Sequence, residues 1–413
     1  GLVSNYIRVL KTDSAGHLWI GTFDGLSIRD PRSGRFERYV HTSEAGSLSH
    51  NSIRSIFIDA QRGVWLGTYY GGVSYYHPLA RRFGALRHDP TRNSLGDNTV
   101  SCIVEDPESG SLWIGTNDDG VNLYDRRTGR FSEFNTASGS LLSNNVKCVY
   151  PDGRGRVWIG THAGGLSSMD AATRRTRHYP VNASIPINNS CYSLLDGGDG
   201  TLWVGTLNGL LSFDTAAGRF SRHLCADYEP RLGSLQITTL FRDSKRRVWI
   251  GTGAGLYLWQ PDVRQVMTCE LTPVKDETSP PRRDITVMCV TEDSHRNIWI
   301  GTRHGLYRYN ASDNSFTRFT VADGLPNDFV YGILEDELAR LWISTNNGMA
   351  CFDTRKNSFR RYTLRDGIAN NQFNLYSYCR SRDGIFWFGG IGGITWFRPH
   401  DLVDNPFAPE PQI

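Results

Sequence analysis

LWIGTFDGL, residues 18–26, is the first of nine variants of one phrase in this 413-residue chain. Later variants include VWIGTHAGGL from Val157, IWIGTRHGL from Ile298 and the divergent FWFGGIGGI from Phe386. The tryptophans of the phrase are 43 to 50 residues apart, at Trp19, Trp65, Trp113, Trp158, Trp203, Trp249, Trp299, Trp342 and Trp387. A sustained period in this range predicts an array of identical supersecondary units.

Each repeat has the pattern of four short strands. In the second repeat, SIRSIFID, VWLGT, VSYYHP and RRFGALRHD alternate or are rich in branched and aromatic residues, and polar or glycine-containing turns separate them. A D-x-x-G turn joins strands one and two, and G-R-F or N-S-F often opens strand four. Four antiparallel strands in about 45 residues are typical of a propeller blade, whereas the density of glycine excludes helical repeats.

The fold class is therefore an all-β propeller of nine four-stranded blade repeats over residues 1–400, with a proline-rich exit linker at 401–413. The chain begins at a first strand, and the ninth repeat has no recognisable fourth strand. Two ring arrangements stay open: one nine-bladed ring, or a seven-bladed ring from about Ser94 with blades of a neighbouring ring.

Two sets of repeated residues are predicted to be structural. The tryptophans should fill the space between blades. Four of the eight cysteines stand four residues before an aspartate, which favours small, buried, free thiols over metal ligands: Cys102, Cys148, Cys289 and Cys379 precede Asp106, Asp152, Asp293 and Asp383. The D-x-x-G aspartates, such as Asp13, Asp59, Asp152 and Asp336, should lie in turns on the face opposite to the variable loops.

The phrase L-W-I-G-T-x-x-G-L, preceded by a strand that ends in D-x-x-G, resembles the two-component regulator propeller repeat. The last repeat, FWFGGIGGITWFRP, resembles the final propeller repeat of hybrid two-component sensors from gut Bacteroidetes. The resemblance covers essentially the whole chain. It implies a periplasmic sensor region that binds an oligosaccharide or polysaccharide fragment, forms a homodimer in the full-length protein and needs no cofactor. Membrane attachment and kinase activity would reside in segments that this chain does not contain.

Candidate ligand-binding residues lie where the repeats differ. In a propeller, the loop after G-T and the loop that enters strand one emerge on the same face, here called the loop face. The loops after G-T contribute the predicted site: Tyr69, Tyr70, Asn117, Asp118, Asp119, His162, Asn208, Arg303, His304, Asn346 and Asn347. Amides, carboxylates and aromatic rings suit a sugar, and Arg303 with His304 could also bind a uronate or a sulfate.

The entering loops supply a second polar set. They carry His50-Asn51, Asn98, Asn144-Asn145, Asn188-Asn189, Arg283-Asp284, Asn327-Asp328 and Asn370-Asn371-Gln372. Asparagine beside a strand often serves a turn, so we expect structural duty for most of these amides.

Composition and motifs limit the other function classes. The formal net charge is +3 and no long run of basic residues occurs, so the sequence does not predict nucleic-acid binding. No apolar run is long enough to cross a bilayer. No hydrolase or phosphate-loop motif occurs, and the loops after G-T contain no glutamate, so we predict that the chain is not an enzyme and binds no metal. A protein-interaction scaffold remains the alternative, with a propeller lyase or hydrolase behind it.

Overall fold

The computed structural model of the chain describes residues 1–42, 47–77, 83–181, 189–271 and 285–402. These residues form 35 β-strands and one short α-helix, α1 (Cys225–Tyr228), which confirms the all-β class. No helix in these ranges could cross a membrane. The strands divide into two compact units, one within residues 1–77 and one from Phe83 to Asp401. Residues 403–413 of the predicted exit linker lie outside the described part of the chain.

The first unit contains two antiparallel sheets. One has four strands and the other three: β1 (Ile7–Thr12), β2 (Leu18–Thr22), β3 (Leu26–Arg29) and β4 (Phe36–Tyr39); then β5 (Ile53–Ile58), β6 (Val64–Thr68) and β7 (Val73–Tyr76). The sheets pack on each other through Trp19, Leu26, Ile53, Val64 and Leu66.

The second unit is built from seven four-stranded sheets, called blades I to VII. Blades I to III are β9 (Val100–Glu105), β10 (Leu112–Thr116), β11 (Val121–Asp125) and β12 (Arg130–Phe134); β13 (Val146–Pro151), β14 (Arg156–Thr161), β15 (Gly165–Asp170) and β16 (Thr176–Tyr179); and β17 (Cys191–Asp196), β18 (Thr201–Thr206), β19 (Gly209–Asp214) and β20 (Arg219–Arg222). Blades IV and V are β21 (Ile237–Arg242), β22 (Val248–Thr252), β23 (Gly255–Gln260) and β24 (Gln265–Cys269); and β25 (Val287–Glu292), β26 (Ile298–Thr302), β27 (Gly305–Asn310) and β28 (Ser315–Phe319). Blades VI and VII are β29 (Val330–Glu335), β30 (Arg340–Thr345), β31 (Gly348–Asp353) and β32 (Ser358–Tyr362); and β33 (Phe373–Arg380), β34 (Phe386–Gly390), β35 (Gly393–Phe397) and β8 (Gly84–Leu86).

The seven blades close into a ring through a strand from the start of the unit. β8 pairs with β35, with Leu86 opposite Ile394 and Gly84 opposite Trp396. This strand supplies the fourth strand that the ninth repeat lacks. The assignment of RRFGALRHD to the second repeat is therefore wrong, and the ring begins at Phe83 rather than near Ser94. The propeller is the seven-bladed alternative, with two further sheets in a separate unit.

Each tryptophan of the ring packs against the next blade. Trp113 of blade I lies among Val146, Val157 and Ile159 of blade II, and Trp387 of blade VII contacts Ile103 of blade I in the same manner. Burying these large apolar faces between neighbours is what a propeller needs for stability.

Trp65 departs from the predicted packing role. Its side chain is 43% exposed, with Phe57 opposite it on β5 and Tyr75 opposite it on β7. The first sheet packs on the other face of β5–β7, and no described strand of the first unit covers the Trp65 face. Within this unit, the same sequence phrase gives a core residue at Trp19, which has a neighbouring sheet on that side, and an exposed residue at Trp65.

The D-x-x-G aspartates stabilise both the turn and the tryptophan. Asp243 accepts the backbone N–H groups of Lys245 and Arg247, and its Oδ2 accepts the Trp249 indole N–H at 3.0 Å. The same indole bond occurs at Asp13, Asp59, Asp106, Asp152, Asp293 and Asp336. The predicted structural role of these aspartates is confirmed.

Blade VII breaks the predicted cysteine pattern. Cys102, Cys148 and Cys289 lie opposite a glycine of strand two, but Cys379 lies opposite Trp387 because β33 contains extra residues. Ser377 and Ser381 occupy the positions expected for Cys379 and Asp383, and Ser381 accepts the Trp387 indole N–H. All eight cysteines are free thiols, six of them buried: Cys102, Cys148, Cys191, Cys225, Cys289 and Cys351.

Candidate functional site

A β-bulge occurs at the second residue of the first strand in blades I to VI. In blade II, Val146 pairs with Thr161 and Cys148 with Gly160, so Lys147 has no partner on β14. A bulge of this kind re-aims a side chain away from the regular pleat. The equivalent unpaired residues in the other five blades are Ser101, Tyr192, Thr238, Met288 and Tyr331.

In blades I, II, V and VI, the first residue after strand two lies beside this bulge. Its backbone N–H donates to the residue that precedes strand one of the same blade: Asn117 to Thr99, His162 to Asn145, Arg303 to Thr286 and Asn346 to Phe329. These bonds place both variable loops on one face, as predicted. The side chains after G-T and the bulge side chains therefore form one surface.

This surface surrounds the axis of the ring. First strands of neighbouring blades lie side by side around the whole ring, and β33 lies beside β9. Tyr376, from the enlarged bulge of β33, has left-handed backbone with φ of 61°. Burial raises the pKa of its hydroxyl well above the usual value, with further contributions from Cys148, Tyr378, Tyr192 and Cys289. Because these neighbours belong to several blades, Tyr376 must lie near the axis.

Blades I to III bring two predicted residues together in what we call the lysine cluster: Asn117, Asn145, Lys147, His162, Ser190 and Tyr192. The Lys147 ammonium donates to the amide oxygen of Asn117 at 3.3 Å. His162 Nδ1 lies 3.1 Å from the Ser190 hydroxyl and 3.2 Å from the Tyr192 hydroxyl. The cluster thus combines a cation, an imidazole, amides and hydroxyls across three blades.

Burial controls the protonation of the lysine cluster. Burial lowers the pKa of Lys147, and the nearby Cys102 and Asp118 partly oppose that shift. Burial also lowers the pKa of His162, and Lys147 lowers it further. At neutral pH the imidazole is therefore uncharged.

Blades V and VI form a second polar group. Tyr331 donates its hydroxyl to the Asn346 amide oxygen at 3.3 Å, and Arg303 lies close enough to lower the pKa of the Tyr331 hydroxyl, although burial raises that pKa overall. Arg303 itself is exposed. Two predicted residues, Arg303 and Asn346, are brought together here by a tyrosine that was not predicted.

Other predicted residues lie further along their loops. The backbone N–H groups of Asn208, His304 and Asn347 donate to the hydroxyl oxygen of the threonine that ends the preceding strand, at 3.1, 2.9 and 3.1 Å, which is turn geometry. Asp119 Oδ1 accepts from Asn135 at 3.1 Å, and Asp118 accepts through its backbone carbonyl from Asn144. These residues surround the polar clusters rather than build them.

Tyr69 and Tyr70 belong to the first unit. Their rings contact each other with centroids 4.2 Å apart, and the Arg54 guanidinium lies 4.3 Å from the Tyr69 centroid. Arg54 is the bulge residue of β5, so this contact repeats the pairing of bulge and loop residues seen in the ring.

Several of the entering-loop asparagines have the structural duty that we expected, whereas the side-chain oxygen of Asn145 and both side-chain polar atoms of Asn370 have no hydrogen-bond partner among the described residues. Asn98, Asn144 and Asn371 each accept, through Oδ1, a backbone N–H from the segment that follows a fourth strand, at 2.8 to 2.9 Å. Their backbone carbonyl oxygens accept the backbone N–H of a glycine at the end of the loop between strands two and three of the preceding blade. These glycines are Gly393 for Asn98, Gly120 for Asn144 and Gly348 for Asn371. Asn188, Arg283 and Asp284 lie outside the described residues.

The residues missed by sequence reasoning are Lys147, Ser190, Tyr192 and Tyr331. Each lies at the junction of the entering loop and strand one, which the pattern presents as an ordinary strand start. The sequence does contain a signal for these residues. The second residue of strand one is polar or aromatic in most repeats, although its neighbours are apolar, which indicates that this side chain does not point into the core.

One group of side chains has the spacing of a metal site. Asp293, His295 and Glu335 can bring ligand atoms within 4.8 Å of one another, on the D-x-x-G side of blades V and VI. However, Glu335 accepts from the Ser294 N–H and hydroxyl, both at 2.7 Å, and Asp293 accepts the Trp299 indole. These carboxylates are already used in holding the turns together.

A cavity of about 720 Å³ lies between the two sheets of the first unit. Its lining includes Trp19, Leu26, Leu48, Val64 and Tyr76, which are core positions of the repeat. The predicted residues Tyr69 and Tyr70 are not among those that line it.

The sequence family described as two component regulator propeller matches residues 1–24, 47–70, 94–118 and 140–163. In these four segments the chain is similar to the two-component regulator propeller repeat. Among curated proteins, no match to the chain is found.

Solved structures with the same fold include extracellular domains of two-component systems and a lyase. The extracellular domain assigned to the hybrid two-component system BT3049 from B. thetaiotaomicron matches with 27% identity and a TM-score of 0.77, over 95% of this chain and 51% of that one. The corresponding domain of BT4673 from the same organism matches with 21% identity and a TM-score of 0.63, over 98% of this chain and 54% of that one. A streptogramin B lyase matches with 15% identity and a TM-score of 0.59, over 78% of this chain and 99% of the lyase. The chain spans about half the length of these two extracellular domains.

Proposed function

We propose that this chain of two-component regulator propeller repeats is the extracytoplasmic ligand-sensing region of a hybrid two-component regulator. Its seven-bladed ring binds an oligosaccharide on the loop face. The observation that carries the proposal is the convergence of loop and bulge side chains, Asn117, Lys147, His162 and Tyr192, beside the ring axis. The likeness to the BT3049 extracellular domain supports the assignment to a sensor.

The chemistry of the loop face suits a carbohydrate. Sugar hydroxyls both donate and accept, so their recognition needs amides, hydroxyls and imidazoles at fixed positions. Here those groups extend from β-strands that adjacent blades hold in place, so little conformational entropy is lost when a ligand binds. Tyrosine rings such as Tyr192 can stack on a pyranose face.

The ligand-binding signal would be transmitted from this chain to other segments of the full-length regulator. The proposal places the ring in the periplasm, in a homodimer of the full-length regulator, with the kinase and the membrane span in segments beyond this chain. Binding would change how two copies associate. Neither catalysis nor a cofactor is required of the propeller itself.

The test is a thermal-shift screen of the purified chain against defined neutral, uronic and sulfated oligosaccharides. A ligand at 100 times its Kd stabilises the native state by about 2.7 kcal/mol, which gives a measurable rise in Tm. Asn117→Ala combined with Tyr192→Phe should reduce the rise for the same ligand. Asp214→Ala, in an exposed outer turn, is the control and should leave the rise unchanged.

Other outcomes would replace the proposal. Breakdown of the sugar during the assay would favour a lyase or hydrolase, a possibility that the fold shares with streptogramin B lyase. Absence of any shift across the panel, with a well-folded sample, would favour a protein-interaction scaffold.

A further inference from the structure

We propose that Lys147 and His162 form a subsite for an acidic group, the carboxylate of a uronic acid or a sulfate ester, carried by the bound saccharide. The inference rests on the proposed function and specifies the ligand class. It places the acid-binding cation on blade II, not at Arg303 and His304 of blade V.

Lys147 is a cation without a close ion pair, since the Asp118 carboxylate acts on it only at longer range. Its ammonium contacts only a neutral amide at short range, the Asn117 oxygen at 3.3 Å, and no carboxylate of the described residues lies within 4.0 Å of it. The side chain is half-buried. A charge withdrawn from water is normally paired, so an anionic group from a ligand would supply what the chain does not.

His162 is arranged to donate a second hydrogen bond. The hydroxyl groups of Ser190 and Tyr192 both lie within hydrogen-bond distance of His162 Nδ1, at 3.1 and 3.2 Å. Since a single Nδ1–H could donate to only one of them, we assign Nδ1 as the acceptor of these hydroxyls. The proton of the neutral ring is then on Nε2. A neutral Nε2–H donor next to an ammonium matches the two oxygens of a carboxylate.

Two buried polar atoms near this pair have no hydrogen-bond partner among the described residues. They are Asn145 Oδ1 and the Tyr376 hydroxyl. Asn145 is adjacent to the pair, since its carbonyl accepts the His162 N–H at 2.8 Å, and Tyr376 interacts electrostatically with Tyr192 of the same cluster. Because buried polar groups are nearly always bonded, these two atoms offer unused hydrogen-bonding capacity beside the pair, which water or a sugar hydroxyl can use.

Arg303 is the competing cation. It is exposed, so an anion bound there stays in high dielectric and is screened by salt. The partly buried position of Lys147 makes its attraction for an anion stronger.

The experiment measures binding of methyl β-D-glucuronide and the matched neutral methyl β-D-glucoside by isothermal titration calorimetry. We expect the intact chain to bind the glucuronide at least tenfold more tightly. Lys147→Met, which keeps the apolar stem, should reduce this preference to threefold or less. Lys356→Met, at an exposed lysine in the turn before β32, should retain the full preference.

The pH dependence gives an independent readout. The groups facing Lys147 are Cys102, Asp118 and His162. Since the protonated lysine binds the anion, glucuronide affinity should fall as pH rises through the lowered Lys147 pKa, below the pH at which an exposed lysine deprotonates. The glucoside affinity should not follow this profile.

Sodium sulfate separates a sugar-borne acid from a free anion. Competition by sulfate only far above the glucuronide Kd supports the saccharide subsite, whereas equal affinity for sulfate overturns it. The subsite is also overturned if the intact chain binds both glycosides with equal affinity. It is overturned again if Arg303→Met loses the preference for the glucuronide while Lys147→Met retains it. If the acid preference is absent but the glucoside still binds, the proposed function remains supported and only the acidic subsite is overturned. If neither the glucuronide nor the glucoside binds, the acidic subsite is overturned as well.

Discussion

Tryptophans with the same sequence context differ in what they contribute to stability. Trp249 is fully buried between blades and donates its indole N–H to Asp243, whereas Trp65 makes the equivalent bond to Asp59 but has a 43% exposed side chain. Burial, not the indole bond, therefore separates the two positions.

We predict that Trp249→Ala lowers the free energy of unfolding by about 3–5 kcal/mol, since it leaves a large cavity. Trp65→Ala should lower it by about 1 kcal/mol or less. Urea unfolding followed by circular dichroism would measure both. Equal losses would mean that the indole–aspartate bond, which both variants remove, dominates over packing.

His223 gives the fold a dependence on pH. It is buried, its ring centroid lies 3.8 Å from that of Trp203, and burial lowers its pKa from 6.5 to about 4. The unfolded chain therefore binds a proton between pH 6.5 and 4 that the folded chain does not, so stability is complete above pH 6.5 and falls as pH decreases through this window.

The expected loss is about 3 kcal/mol between pH 7 and pH 4. His223→Asn, whose Oδ1 lies where Nδ1 accepts the Cys225 N–H, should lack this component. Urea titrations at several pH values would compare the variant with the unsubstituted chain. Parallel pH profiles would show that the pKa of His223 is the same in the folded and unfolded states, contrary to this prediction.

At the scale of the element, sequence patterns were least informative about the first strand of each blade. The pattern predicted VWLGT as a strand, and β6 has the same bounds, Val64–Thr68. The bulge at Lys147 was not predicted, because VKCV reads as an ordinary short strand and the extra residue is visible only in the pairing with β14. The binding surface was consequently predicted from its loops alone, without Lys147, Tyr192 and Tyr331.

The two tyrosines Tyr331 and Tyr376 allow a matched test of buried hydroxyls. Tyr331→Phe removes a hydrogen bond to Asn346 and should lower the free energy of unfolding by about 0.5–1.5 kcal/mol. Tyr376→Phe removes a buried hydroxyl without a partner and should raise it by about 1 kcal/mol. Chemical denaturation without ligand would measure both changes. A loss of stability in Tyr376→Phe would reveal a partner for that hydroxyl, such as a bound water.

At the scale of the whole molecule, the number of repeats and the fold class were predictable, but the ring boundary was not. The period of the tryptophans counts sheets, and local patterns define strands. Neither shows that β8 (Gly84–Leu86) pairs with β35, some 310 residues later in the chain. The choice of hydrogen-bond partner in a sheet produces no periodic pattern in the sequence. The assignment of this strand to the second repeat failed for that reason.

Ring closure can be tested by truncation. A chain of residues 83–402 contains all seven blades, whereas residues 94–402 lack β8 and leave the edge of β35 without its partner. We expect the shorter chain to melt several degrees lower and to aggregate more readily, since an open sheet edge invites pairing. Differential scanning calorimetry and light scattering would compare the two. Identical melting would show that β8 adds nothing to closure.

The closing strand also determines how the ring would respond to force. The chain enters the ring at Phe83 and leaves the last sheet at Phe397, and these two rings lie 5.0 Å apart at one end of the β8–β35 pair. Tension between entry and exit would load this antiparallel pair at that end and open it like a zipper, one hydrogen bond after another. The other six blades would carry none of that load. Blade VII, which also holds Tyr376 near the axis, is thus the mechanical weak point of the propeller.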